Sequence, residues 1–189
     1  MIKKTNRAHA PRRSVKPTGA KQTSIIGCRE MSSPLGTLVI AATARGVCAI
    51  EFGRRKPTIL TLSNSAMRLD GSTSTVALAI AQLREYFAGR RFRFDLPVDL
   101  SVLTRFQREV AAVTRQIPAG QTWTYRQVAK KMGRPNSARP VGQSLARNPI
   151  PIIIPCHRVI ASDGALRGYS GGSGLKTKRW LLRHEGAPW

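Results

Sequence analysis

Negative charge is scarce in this sequence. Nine Asp or Glu stand against 32 Lys or Arg in 189 residues, a formal net charge of +23. Such an imbalance draws polyanions by releasing their counterions, which makes nucleic acid the leading partner class, ahead of anionic lipid or a merely solvated basic surface. Long apolar runs are missing too. Stretches such as Val76 to Ile80 and Ile150 to Ile154 fall far short of the roughly 20 residues that span a bilayer, so no membrane association is expected. No apolar run follows Lys3, Lys4 and Arg7, so no secretory signal is expected. Cysteine is scarce as well: Cys28, Cys48 and Cys156 form no Cys-x-x-Cys pair. An odd count argues against a disulfide scaffold and for an intracellular chain with reduced thiols. With 41% hydrophobic residues the chain can still bury a core, as one compact domain or two small ones.

The positive charge is unevenly spread. Residues 1–22 hold seven Lys or Arg and no acid, without any apolar period, and read as a flexible basic tail. Residues 23–104 carry a nearly balanced +4, and residues 105–189 carry +12. The last segment is where a polyanion is expected to bind.

Residues 23–104 read as a small α/β domain. Gly36 to Ala42 and Val47 to Phe52 flank the turn Thr43-Ala44-Arg45-Gly46 as a hairpin. Period two puts Cys48, Ile50 and Phe52 on one face, so Cys48 is expected in a core without chemistry. Val76, Ile80, Leu83 and Phe87 form a helical stripe ending at Gly89. Arg90 to Leu100 reads as a third strand or a connector.

From Arg105 the pattern is helical. Phe106, Val110, Val113 and Ile117 make one stripe, closed by Pro118-Ala119-Gly120. Thr124 suits the cap of a helix from Tyr125 to Met132. Gly133 to Ser137 breaks it, and a second short helix runs from Ala138 to Arg147, which together read as a helix-turn-helix. On the second helix Val141 and Leu145 point inward, while Arg139, Gln143, Ala146 and Arg147 point out with Gly142 at the edge. Small side chains let a helix approach a groove closely, and the cations hold phosphates.

Asn148 to Ile160 reads Asn-Pro-Ile-Pro-Ile-Ile-Ile-Pro-Cys-His-Arg-Val-Ile. Its prolines forbid a helix, and the expected form is a rigid, extended strap holding Cys156 at fixed depth. A thiol attacks only as thiolate and needs a base or cations nearby. Neighbours on an extended strap point to opposite sides, so direct contact between Cys156 and His157 is not expected.

Residues 105–186 resemble the O6-alkylguanine-DNA alkyltransferase family, the methylated-DNA-protein-cysteine methyltransferases. The resemblance rests on Phe106-Gln107-Arg108-Glu109-Val110, Ile117 to Thr122, Thr124-Tyr125, Ala138 to Gly142, the Pro-Cys-His-Arg-Val core of the strap, Gly168 to Gly172, and Trp180 to Gly186. Ser33 to Gly36 and Glu85 to Gly89 resemble its N-terminal domain more loosely.

The resemblance implies an α/β N-terminal domain, a small antiparallel sheet plus helix, over 23–104. A mainly helical, winged-helix-like C-terminal domain follows over 105–189. It implies a single-turnover repair protein that flips O6-methylguanine from duplex DNA and takes the alkyl group onto Cys156. His157, oriented by Glu185, would act as base through a water, and Tyr125 would protonate the leaving guanine. Arg139 would fill the gap in the stack, with Gly142, Gln143, Ala146 and Arg147 along the DNA. Asn148, Val159, Tyr169 and Ser170 would form the pocket. The partner implied is double-stranded DNA carrying O6-alkylguanine, met by a monomer, with cooperativity on DNA left open. The compartment is the cytoplasm, at the nucleoid, or the nucleus. No cofactor and no metal are expected, and Cys28, Cys48 and His9 do not assemble a zinc site. Ser173 to Arg179 is read as a loop. The rival readings are an alkyltransferase-like lesion binder that does not transfer, in whose relatives the cysteine is replaced, and a winged-helix transcription regulator, which has no use for such a pocket.

Overall fold

The computed structural model describes residues 25–53 and 73–189; the basic tail read over 1–22 lies outside the described residues. Three strands, β1 (Ile25–Ser33), β2 (Gly36–Thr43) and β3 (Gly46–Phe52), form an antiparallel meander in that order. The expected hairpin is β2–β3. The third strand is β1, ahead of it in sequence. Residues 90–100 form a connector that meets the sheet in an isolated parallel bridge, Val47 to Val98, and through the Thr43 hydroxyl, which donates to Asp99 Oδ2 at 2.6 Å. Gly46, at φ 141°, makes that approach possible, because a Cβ there would lie 2.5 Å from the Pro97 backbone.

Cys48 does not share a face with Ile50. Ala41 pairs with Ala49 and Ala42 with Val47, so Cys48 is the extra residue of a β-bulge, which offsets the period of two. It packs with Cys28, Val39 and Ala41, while Ile50 joins the opposite face.

That opposite face is covered by α1 (Ser74–Phe87), capped by Thr73, whose hydroxyl accepts from the Val76 amide. Val76, Ile80 and Leu83 are buried and Phe87 is partly so, as the stripe requires. Each such aliphatic side chain withdrawn from water stabilises the fold by about 1.5–3 kcal/mol.

The second half comprises α2 (Arg105–Thr114), α3 (Tyr125–Lys131), α4 (Ala138–Leu145) and α5 (Leu175–His184), with a two-stranded parallel pair, β4 (Trp123–Thr124) and β5 (Val159–Ile160). Capping boxes start α2 at Thr104 with Gln107 and α3 at Thr124 with Gln127. Ile117 lies beyond α2 yet packs with Val110, Val128, Val141 and Leu145.

Two expectations fail in this half. The segment before Cys156 is not extended: it doubles back so that the Ile154 amide donates to the Ile150 carbonyl. The prolines forbid a helix but leave this turn open, and the turn buries Ile150, Ile152, Ile153 and Ile154 against the sheet-and-helix core. Ile152 is held at φ 74°, a left-handed conformation a β-branched residue rarely adopts. The core gained by all four isoleucines holds it there. Nor are residues 175–179 a loop. They open α5, because Thr177 and Lys178 face inward despite their polarity.

Among the described residues no helix is long and apolar enough to cross a membrane.

Candidate active site

After the turn, Cys156–Arg158 winds into a single 3-10 turn that holds Cys156 against Asn148 and brings His157 and Arg158 together on Glu185. The Asn148 side-chain amide donates to Cys156 Sγ at 3.1 Å and to the Ile154 carbonyl at 2.8 Å, tying the end of α4 to the thiol. His157 Nε2 lies 2.8 Å from Glu185 Oε1, at the end of α5. Arg158 donates through Nε to Glu185 Oε2 at 2.7 Å, and also to the carbonyls of Ile117 and Phe92.

Because a carboxylate only accepts, Nε2 of His157 carries the proton. The lone pair then sits on Nδ1, which is buried without a hydrogen-bond partner among the described residues. Burial lowers the pKa of His157 against the pull of Glu185, which favours the neutral imidazole, a base. Burial alone would raise the Glu185 carboxyl, but His157 and Arg158 hold it at about 2. Burial also pushes the Cys156 thiol up, while the Asn148 hydrogen bond and the Lys178 charge draw it back.

Lys178 is wholly buried. Its Nζ donates to the carbonyls of Val159 at 2.6 Å and Arg167 at 3.0 Å, and burial brings its pKa down to about 8. Lys178→Met keeps the bulk and removes the charge. It is expected to raise the Cys156 pKa and slow thiol alkylation at pH 7 by several-fold, read from the pH dependence of the iodoacetamide reaction.

Cys156 opens onto a cavity of about 400 Å³ whose wall includes Ile50 and Phe52 of β3 together with Asn148, Tyr169 and Ser170. Tyr169 is half-buried, with its hydroxyl enclosed and unpartnered among the described residues. The Ser170 hydroxyl donates to the Ala146 carbonyl at 3.3 Å, joining the pocket loop to the end of α4. Tyr125 starts α3 and reaches the same loop, its phenol donating to the Arg167 carbonyl at 3.3 Å. Gly168, at φ 62°, lets it in, since a Cβ there would sit 3.2 Å from the phenol oxygen. Burial, and after it Cys156, raises the Tyr125 pKa, which keeps the phenol protonated.

On α4, which ends at Leu145 rather than at Arg147, Val141 and Leu145 are buried and Arg139 and Gln143 are exposed, as are Ala146 and Arg147 in the turn that follows. Gly142 packs over the Tyr125 ring, leaving room for a Cβ only at ordinary contact distance.

Two family descriptions match this chain: "6-O-methylguanine DNA methyltransferase, ribonuclease-like domain" over residues 26–100, and its "DNA binding domain" over 105–187. The chain belongs to the 6-O-methylguanine DNA methyltransferase family. Its relatives include the methylated-DNA–protein-cysteine methyltransferase of Shigella flexneri, 40% identical over 83% of this chain and 94% of that one. An O6-methylguanine methyltransferase structure from Mycobacterium tuberculosis superposes with a TM-score of 0.72 at 35% identity, covering 86% of this chain and 94% of the other. A structure from that organism in complex with DNA also scores 0.72, at 36% identity, covering 86% and 96%. The fold is that of this methyltransferase family, a small antiparallel sheet with a helix followed by a helical half.

The structure thus places Cys156, Asn148, Tyr169 and Ser170 on one cavity, with His157, next to Cys156 in the chain, buried against Glu185 and with Tyr125 against the pocket loop. Val159, expected in the pocket, does not line this cavity: it shares a buried hydrophobic cluster with Cys156, and its carbonyl accepts from Lys178 Nζ. Sequence reasoning missed Tyr86, Arg158 and Lys178 as partners of this site. A signal existed for Lys178, because Lys178, Leu181, Leu182 and Glu185 recur at i, i+3, i+4 and i+7 on the buried face of α5. Among the described residues no three His, Cys, Asp or Glu side chains cluster as a metal site.

Proposed function

We propose that this protein removes the methyl group from O6-methylguanine in duplex DNA and keeps it on Cys156. The observation that carries this reading is the thiol at the cavity, backed by an imidazole whose basic nitrogen is free and whose other nitrogen is held by a buried carboxylate. The His157 Nδ1 lone pair, acting through a water, takes the thiol proton. The sulfur attacks the methyl carbon in line, the S–C bond forms as the C–O6 bond breaks, and the bonding pair stays on guanine. The neutral Tyr125 phenol returns a proton to the departing base. Water does not displace a thiolate from an unactivated methyl thioether, so each molecule acts once.

The base must leave the helix to reach Cys156, at a cost of a few kcal/mol. We assign Arg139 to the gap it leaves, and Gly142 and Gln143 of α4 with Ala146 and Arg147 of the turn after it to the groove around it. Asn148, Ser170 and Tyr169 line the base pocket, with Val159 behind it. Residues 105–189 carry the reaction and the DNA contacts, residues 23–104 complete the pocket, and residues 1–22 add nonspecific affinity. Such a substrate places the protein with the chromosome, at the nucleoid or in the nucleus. The presence of Cys156 weighs against a lesion binder that does not transfer.

The test is incubation with an equimolar duplex carrying one O6-methylguanine, followed by peptide mass measurement. The Cys156 peptide is expected to gain one methyl as the lesion disappears; an unmodified peptide beside a persisting lesion overturns the reading.

A further inference from the structure

The residue that faces the relay from the other half of the chain is Tyr86. It lies on α1, is wholly buried, and its ring packs among Phe87, Phe92, Phe94 and His184. Packing alone would be met by phenylalanine, the choice at three of these four neighbours. A buried hydroxyl is unfavourable unless bonded, and this one donates to Glu185 Oε1 at 2.8 Å across 99 positions of sequence.

That oxygen is shared. Glu185 Oε1 also receives His157 Nε2 at 2.8 Å and Arg158 Nη2 at 3.0 Å, while Oε2 receives Arg158 Nε at 2.7 Å. A carboxylate has about four lone-pair sites, so each donor beyond the imidazole reduces the negative charge left to attract a proton onto His157. We propose that Tyr86 is a positioning residue of the transfer reaction, holding Glu185 Oε1 in place for His157 and limiting how strongly that carboxylate charges the ring. This rests on the function proposed above and adds to it a contribution from the sheet-and-helix half to the proton transfer itself.

The ionisable groups packed around the pair come from every adjoining element. They are Tyr86 from α1; Cys156, His157 and Arg158 from the 3-10 turn; Tyr169 from the pocket loop; and Lys178 and His184 from α5. Arg158 and Lys178 both oppose a charge on His157, and His184 is occupied with the Tyr86 carbonyl at 2.6 Å. With the hydroxyl gone, Glu185 presents more charge to Nε2 and the imidazolium gains stability. The neutral base is then lost at a higher pH.

The experiment is Tyr86→Phe, which keeps the ring in the core. The single-turnover rate on an O6-methylguanine duplex is measured from pH 5 to 9, beside the nitrogen chemical shifts of His157. The acidic limb is expected to move to higher pH by about half a unit or more, with the His157 titration moving alongside. Ile80→Val is the control. It loosens the same helix without touching Glu185 and is expected to lower the melting temperature with the limb unmoved. A Tyr86→Phe protein that loses stability while both the limb and the His157 titration stay at their wild-type pH overturns the proposal and reduces Tyr86 to a core residue. Should the wild-type protein transfer no methyl, the proposed function falls on that result, and the His157 shifts still decide whether Tyr86 tunes the ring.

Discussion

Cys156→Ser is expected to abolish methyl transfer while leaving affinity for a lesion-bearing duplex within about a factor of two. The two residues are close in size, and the Asn148 amide that donates to Sγ finds a hydroxyl acceptor instead, so the pocket keeps its shape. What changes is ionisation. A thiol sits within a few units of neutral pH, and although burial pushes Cys156 up, the Asn148 hydrogen bond and the Lys178 charge draw it back, whereas a serine hydroxyl needs a far stronger base than the one His157 supplies. Transfer should fall at least a thousandfold. The DNA contacts proposed for α4 do not involve this atom, so binding is spared. Rapid-quench assay of transfer beside fluorescence anisotropy of binding separates the two. Measurable transfer by the serine variant would remove Cys156 as the acceptor.

Glu185→Gln should damage stability and reaction together. The carboxylate faces Arg158, whose side chain is 5% exposed, and His157, which is not exposed at all. Removing one partner of a buried ion pair leaves an uncompensated cation, at about 3–5 kcal/mol, and urea melts at pH 7 should show a loss of that order. The pH dependence follows from the same group. Its folded-state pKa of about 2 lies below its ordinary 4.5, so its contribution is fully present above pH 4.5 and disappears as the pH falls towards 2. The depression corresponds to about 3 kcal/mol. The wild-type protein should therefore lose that much more stability than the glutamine variant over this acid range. Transfer at pH 7 should also fall by about a hundredfold or more, because a neutral amide neither fixes the imidazole tautomer nor supports its charge.

Most of the elements could be read from periodicity. The stripe Val76, Ile80, Leu83 placed α1, and Thr124 placed the start of α3, because both signals are local. What failed depended on contacts made elsewhere. The bulge at Cys48 shifts one residue against a partner strand and leaves no trace in the alternation. The turn through Ile152 trades a strained backbone for a filled core, a balance visible only once the core exists. The opening of α5 looked like a loop because Lys-Thr-Lys-Arg is polar, although Thr177 and Lys178 are interior. Of the site, the strap motif pointed to Cys156 and His157. Tyr86 could not be found, because the partner that explains its hydroxyl lies at the other end of the sequence.

Arg158 joins the carbonyl of Phe92 in the connector, the carbonyl of Ile117 after α2, and the carboxylate at the end of α5. Ile150 to Ile154 and Leu181 meanwhile share one hydrophobic core with β2, β3 and α1. The two halves that divide cleanly in sequence are therefore not interchangeable parts. An altered side chain in the sheet-and-helix half, if it reshapes that common core, shifts the footing of the thiol. A chimera joining halves from distant relatives is therefore expected to inherit a misfitted catalytic wall.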